Sequence, residues 1–405
     1  MVVQSPDPQR DPNSIHDLFA ETFSDFWTWR DNATNGYFVG APYDWEASRV
    51  GMVDGEVASH FGVWDFAMRI ESAVVRVAGI GAVATKRSLR TRGMMKSTAT
   101  DAVAGLSGLG YDLSLLFGIQ KYYLQFGYVS TFDQGTFSVS ARDLSPTEPA
   151  VKYESFSGDV TALAGQYNDE NSSVTGTYVR PTYTSNRRLN KFAIWTFDGG
   201  YLVCGRDGQT LQVSDCAGPP EKILDVCRQR ANSELTPQID FVFLPPRSRL
   251  GEYLQARTHT YQARYHEDGG PMIKITNLES CFTKIAPVLT KRMREAGMKD
   301  YTGTVRIHGD GESVALSMAR GEITSVEPIE HRASSGDGTD PGHDPRVPGQ
   351  SEILAGPGLA RLVIGDTYPL RICRENSITL TGDASFLVPI LFPDQEPSTI
   401  LWDRF

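Results

Sequence analysis

The chain of 405 residues is 40% hydrophobic and 22% charged, with a formal net charge of −10. That length and balance suit two or three globular domains with ordinary apolar cores. They argue against a general nucleic-acid binder, which needs clustered Lys and Arg to displace phosphate counterions, and no apolar run approaches the ~20 residues of a membrane-spanning helix. The segment from Met1 to Asn13 lacks the basic-then-apolar order of an export signal, so a cytoplasmic location is expected. The five cysteines, Cys204, Cys216, Cys227, Cys281 and Cys373, form no C-x-x-C pair and read as buried reduced thiols. The seven histidines form no H-x-x-x-H pair, and no metal is expected.

In chain order, Asn13 or Ser14 is a candidate cap for a helix running to Phe23. The run Ser24-Asp25-Phe26-Trp27-Thr28-Trp29 then crowds aromatics beside an acid, which suits either core packing or an alkylammonium pocket. From Ser48 to Trp64 the pattern reads as a hairpin around Asp54-Gly55. A third strand, Ser72 to Val77, leads into the apolar run Ala78 to Thr85. A basic loop, Lys86 to Gly93, precedes a small-residue helix from Met94 to about Leu106. A second apolar run, Leu113 to Phe117, is followed by a short helix closing at Gly127. His60 on the hairpin reads as structural.

A glycine and several arginines at a helix N-terminus make an anion site. The first N–H groups of the helix point outward without partners, and the macrodipole favours negative charge there. Gly93 permits close backbone approach, and Arg90 and Arg92 add guanidinium forks suited to a diphosphate. The loop is neither a Walker loop nor a three-glycine dinucleotide fingerprint.

The spacing Arg90-x-x-Gly93-x-Met95 resembles motif A of the GNAT acetyltransferases, with Met95 where a small residue is usual. With Gly79-Ile80, Val83-Ala84-Thr85 and Tyr123-x-x-Phe126-Gly127-Tyr128, it is similar to the Eis-like (enhanced intracellular survival) branch of that family. The resemblance implies an α+β fold: two tandem GNAT-type mixed-sheet domains and a sterol-carrier-protein-like α/β domain. Expected spans are 1–147 for a catalytic domain, 148–270 for a second GNAT-like domain without cofactor, and 271–405 for the third. It further implies acetyl-CoA as co-substrate, held by Val83, Ala84, Thr85, Arg90, Thr91, Arg92, Gly93, Met94 and Met95. Tyr123 is the implied general acid. The terminal carboxylate, on Phe405 in this sequence, is the implied base. Asp25, Phe26 and Trp27 are implied to border the acceptor, a small-molecule amine. A homo-oligomer, up to a hexamer, is also implied.

Beyond the first segment, helices are expected at Asp159–Asn168 and Pro220–Glu234. Strands are expected at Phe192–Phe197, Tyr201–Cys204 and Ile239–Leu244. From Met272 the order reads strand, long helix (Leu278 to Ala296), then strands around a Gly309-Asp310-Gly311 turn. The Gly/Pro/Asp-rich insertion from Arg332 to Pro345 reads as a loop. Two alternatives to acetyl transfer stand beside it: a catalytically idle acyl-CoA or lipid binder, and a transferase of another acyl group.

Overall fold

A short strand, β1 (Val2–Gln4), precedes helix α1 (Pro12–Thr22) in the computed structural model, which describes residues 1–23, 43–182, 192–264, 268–330, 350–400 and 403. Helix α1 begins before the expected cap, because Pro12 occupies the first turn, where a missing N–H costs nothing. β2 (Arg49–Val53) and β3 (Glu56–Ile70) form the expected hairpin, with Asp54 and Gly55 both at positive φ in the turn. β4 (Ala73–Thr85) runs unbroken from the expected third strand through the apolar run. Helix α2 (Met94–Gly105), β5 (Leu113–Ile119), the one-turn α3 (Gln120–Tyr123) and β6 (Val129–Ser130) follow.

The middle of the chain supplies β7 (Gln134–Ser140), β8 (Tyr153–Phe156), α4 (Ala164–Glu170), β9 (Ala193–Phe197), β10 (Gly200–Asp207) and β11 (Thr210–Ala217). Helix α5 (Pro220–Glu234), β12 (Gln238–Val242), α6 (Arg249–Gln255) and β13 (Thr260–Arg264) complete it. The last part contains β14 (Asp268–Ile275), α7 (Leu278–Glu295), β15 (Gly303–Gly309), β16 (Ser313–Ala319), β17 (Glu322–Pro328) and β18 (Gln350–Gly356). It ends with α8 (Leu359–Ile364), α9 (Pro369–Glu375), β19 (Thr379–Thr381) and α10 (Ala384–Leu391). The insertion at 332–345 lies outside the described residues.

Three sheets result. The first has the order β1-β2-β3-β4-β5-β14-β6, the second β13-β7-β12-β11-β10-β9-β8, and the third β17-β16-β15-β18-β19. The first two exchange strands. β7, before residue 147, pairs with β12 and β13 in the second sheet. β14, which spans residue 270, lies between β5 and β6 in the first. Alternation explains why β14 fits there: Met272 and Ile273 are buried on opposite faces of a sheet covered on both sides.

Helix α7 joins the first sheet to the third. Its Leu278, Cys281, Phe282, Ile285, Val288 and Leu289 are buried, and it packs against β4 on one side and β17 on the other. Asn277 caps it by accepting from the Ser280 N–H at 2.9 Å. One apolar core therefore runs from Ile15 and Phe19 through Val75 and Ile285 to Phe392. All five cysteines are free and buried.

Candidate active site

The site is shaped by a fault in β4. Between β3 and β4 the register slips where His60–Gly62 faces Gly81–Ala84, so β4 carries one extra residue. Ala82 absorbs it in the left-handed region, at φ 48°. Its displaced carbonyl is captured by the His60 ring, Nδ1 lying 2.8 Å from the Ala82 oxygen. Since a carbonyl only accepts, Nδ1 carries the proton, and Nε2 is left to accept from the Tyr43 hydroxyl at 2.7 Å. Burial pushes the His60 pKa down to about 4, so the ring is neutral.

Beyond this bulge the two central strands part. The parallel pairing of β4 with β5 covers Val77–Ile80 against Leu113–Leu116 and then stops. β4 continues to Thr85 and β5 to Ile119, with β14 paired along the opposite edge of β5 throughout. The β5-facing edge of Gly81–Thr85 thus borders a wedge. At its base, Ser114 donates to the Ala78 carbonyl at 3.0 Å and has spent its one proton, so Tyr128 donates to Ser114 at 2.6 Å. This clasp ties the strands together just before they diverge.

The basic loop stands at the end of β4. Gly93, at φ 75°, is the N-cap residue of α2, and a Cβ there would meet nothing within 4 Å. No side chain caps this helix end, so its leading N–H groups remain available to an anion. Arg90, Thr91, Arg92 and Gly93 are exposed. Among the described residues neither Arg90 nor Arg92 pairs with a carboxylate, although Arg90 Nε donates to the Thr85 carbonyl at 3.3 Å. Lys86, by contrast, is tied to Glu56 at 2.6 Å. The loop therefore offers two guanidinium groups without a carboxylate partner among the described residues, beside an open helix end, and it fits a diphosphate.

Tyr123 lies across β5. Its ring sits so close to Gly118 that a Cβ on that residue would come within 2.5 Å of Tyr123 Cε2. It packs at right angles to Tyr122 (centroids 5.1 Å apart) and near Tyr128 (6.1 Å). Burial, with a smaller contribution from Tyr122, raises its pKa, so the phenol is protonated throughout the neutral range. Among the described residues its hydroxyl has no hydrogen-bond partner, and the proton it carries is uncommitted.

Val83, Met95 and Tyr122 pack on the same apolar cluster as Tyr123, so the wedge, the helix start and the phenol meet on one face of the sheet. Ala84 is buried and Thr85 and Met94 are half-buried along the same path. Asp25, Phe26, Trp27 and Phe405 lie outside the described residues. Residue types alone gave no signal for the His60 brace or for Gly118, since both depend on a neighbour across the sheet. Among the described residues no group of three or more His, Cys, Asp or Glu is placed to hold a metal ion, and no helix is long and apolar enough to cross a membrane.

Comparison with known proteins agrees with this geometry. Residues 13–130 match the family model for the acetyltransferase (GNAT) domain. No curated protein sequence matches the chain. Among solved structures, a GCN5-related N-acetyltransferase from Kribbella flavida aligns with a TM-score of 0.72 at 16% identity, covering 100% of this chain and 98% of its own. A GCN5-related N-acetyltransferase from Anabaena variabilis aligns at 0.70 and 14% identity, covering 98% of both chains. Eis1 from Mycobacterium abscessus aligns at 0.67 and 12% identity, covering 100% of both. At these identities the likeness is one of fold, and it extends along the whole chain.

Proposed function

We propose, from the premise that residues 13–130 form a GNAT acetyltransferase domain and that the protein is an acyltransferase, that it moves acetyl from acetyl-CoA to a primary amine of a cationic small molecule. The amine would attack directly while both substrates are bound. The observation that carries this reading is the parting of β4 from β5 after Ile80–Leu116, with Arg90, Arg92 and the open end of α2 at its rim.

Acetyl-CoA supplies an activated thioester. Arg90, Arg92 and the N–H groups around Gly93 hold its diphosphate, and the free edge at Val83–Thr85 takes the pantetheine arm. A backbone N–H near Val83 polarises the thioester carbonyl. Tyr123 gives its proton to the departing sulfur; its buried, protonated and unpartnered hydroxyl supports that role. The attacking nitrogen must be neutral, so a proton leaves the ammonium. The carboxylate of Phe405 is the proposed acceptor, and Asp25, Phe26 and Trp27 are the proposed contacts for the amine.

In the same reading the second sheet is a GNAT-like domain without coenzyme, the third a sterol-carrier-protein-like domain that acts as a scaffold, and the protein a cytoplasmic homo-oligomer. The test is incubation with acetyl-CoA and a panel of aminoglycosides, polyamines and lysine-type amines, with free thiol and product mass recorded. Thiol released only with an acceptor, and a product heavier by one acetyl, support transfer. Binding of acetyl-CoA with no product from any amine overturns it in favour of an idle binder.

A further inference from the structure

After α10 the chain leaves the third sheet and crosses to the second. The Ser398 N–H donates to the Thr175 carbonyl at 3.3 Å, and its hydroxyl donates to the Phe243 carbonyl, just past β12, at 3.1 Å. Thr399 Oγ1 donates to the Gly176 carbonyl at 3.3 Å. Ile400 is buried among Val160, Leu163, Tyr167, Tyr201 and Val203. Asp403, with no exposed surface, then enters a pocket of donors. It accepts from Arg180 Nε at 3.1 Å and Nη2 at 3.1 Å, from Thr182 Oγ1 at 2.9 Å and from the Tyr167 hydroxyl at 3.0 Å.

Arg180 is the centre of this arrangement. It lies between Asp403 and the buried Asp215, with Tyr201 bridging to Asp215 and the Tyr167 ring 3.5 Å beneath its guanidinium. Burial lowers the pKa of Arg180, but the two carboxylates outweigh burial and keep it charged. A single cation thus holds two buried anions, one from β11 and one from the strap.

The receptor segment is bonded in turn to the first sheet. Arg69 on β3 donates from Nη1 to the Tyr178 carbonyl at 2.7 Å and from Nη2 to Asn168 Oδ1 at 2.8 Å. Asn168 clamps the backbone of Arg180 from both sides, at 3.0 and 2.9 Å. The Tyr178 ring packs on Phe66 of β3, centroids 4.8 Å apart. An unbroken set of contacts therefore runs from Asp403 through Arg180 and Asn168 to the strand beside β4.

The second sheet itself is suited to the strap rather than to a nucleotide. Its parallel pair, β11 with β12, also stops early, at Val213–Phe241. The cavity beyond that point is lined mostly by apolar side chains, Val213, Ile223, Phe241, Leu250 and Ile400 among them, and its lining includes, among the described residues, no Lys or Arg to hold a phosphate.

We propose that Arg180 and Asp403 form a latch that ties the strap, residues 398–400 and 403, to the second sheet and, through Asn168 and Arg69, to β3 of the first, making both of them positioning residues for acetyl transfer. The catalytic consequence rests on the role given above to Phe405, two residues beyond the latch. The test uses the full chain carrying Asp403→Asn, which is isosteric and leaves Arg180 matched one-to-one with Asp215. Two readouts are taken: carboxypeptidase release of the terminal residues followed by mass spectrometry, and steady-state kinetics with an active amine.

Expected are at least tenfold faster release of the terminal residues, about tenfold lower kcat, and a KM for acetyl-CoA within twofold of wild type. Release at the wild-type rate overturns the latch, and faster release with an unchanged kcat overturns its positioning role in acetyl transfer. If Asp403→Asn fails to fold, Thr182→Val removes one donor from the same carboxylate and should shift both readouts in the same direction by a smaller factor; no shift in either overturns the latch. Deletion of Phe405 with the latch intact is the separate control. An unchanged rate there overturns the carboxylate's role, while the digestion result continues to judge the latch.

Discussion

The imidazole of His60 and the carbonyl of Ala82 meet at 2.8 Å across the register fault between β3 and β4. This contact gives the strained residue of the bulge a partner for its displaced oxygen, and the bulge precedes the edge that opens from β5. His60→Leu should leave the half-buried carbonyl unpaired, at a cost of about 1 kcal/mol in unfolding free energy. It should also raise the KM for acetyl-CoA more than it lowers kcat. His60→Asn, which can still donate from the position of Nδ1, should recover much of the KM. Equal kinetics for the two variants would remove His60 from the support of the wedge.

The same ring sets a pH dependence. The folded-state pKa of about 4 lies below the ordinary 6.5, so as pH falls from 6.5 the unfolded chain takes up a proton that the folded chain refuses. Stability should therefore decline between pH 6.5 and 4 by roughly 3 kcal/mol in total, at about 1.36 kcal/mol per pH unit, and this contribution should level off below pH 4. Denaturant titrations at pH 7 and pH 4.5 check this. His60→Asn should flatten the slope.

Tyr123→Phe should lower kcat by about 10²-fold or more, the usual scale of a general acid, while acetyl-CoA binds as before. Because burial raises the pKa of Tyr123, no loss of kcat from its ionisation is expected up to pH 10. A wild-type rate in the phenylalanine variant would assign the proton to another donor.

Gly118→Ala tests the position of the phenol rather than its chemistry. The added methyl would lie 2.5 Å from Tyr123 Cε2, so the ring must move. Overpacking of this kind costs about 1–3 kcal/mol. The expected signature is a lower kcat with the affinity for acetyl-CoA retained, measured by steady-state kinetics beside calorimetric binding.

Arg90→Gln with Arg92→Gln should raise the Kd for acetyl-CoA by about tenfold, a modest factor because both groups are exposed and screened by salt. The variant's affinity should also vary less with ionic strength. Calorimetric titrations at two salt concentrations measure both effects.

Much of the first sheet was legible in residue order. Asp54-Gly55 announced its hairpin, the apolar runs at Ala78 and Leu113 announced two central strands, and Gly93 announced the start of α2. Each of these signals is local, carried by period, turn chemistry or a helix end. β11 is weakly marked in the residue order: Leu211, Val213 and Asp215 alternate with polar residues there, but the pattern is short and includes a charge which is buried only because Arg180 answers it. α1 starts ahead of the capping pattern at Asn13 and Ser14 because Pro12 opens the helix without a side-chain cap.

By itself the sequence determined the local elements around the wedge, the basic loop at its rim and the tyrosine carried on a glycine-stopped turn. These follow from hydrogen-bonding and steric rules that act over a few residues. The tertiary structure alone decided that β7 and β14 trade sheets, that His60 braces Ala82, and that Asp403 lies buried on Arg180, 223 residues away in the chain. Such pairings depend on which distant surface removes a group from water, and no short-range pattern encodes that choice.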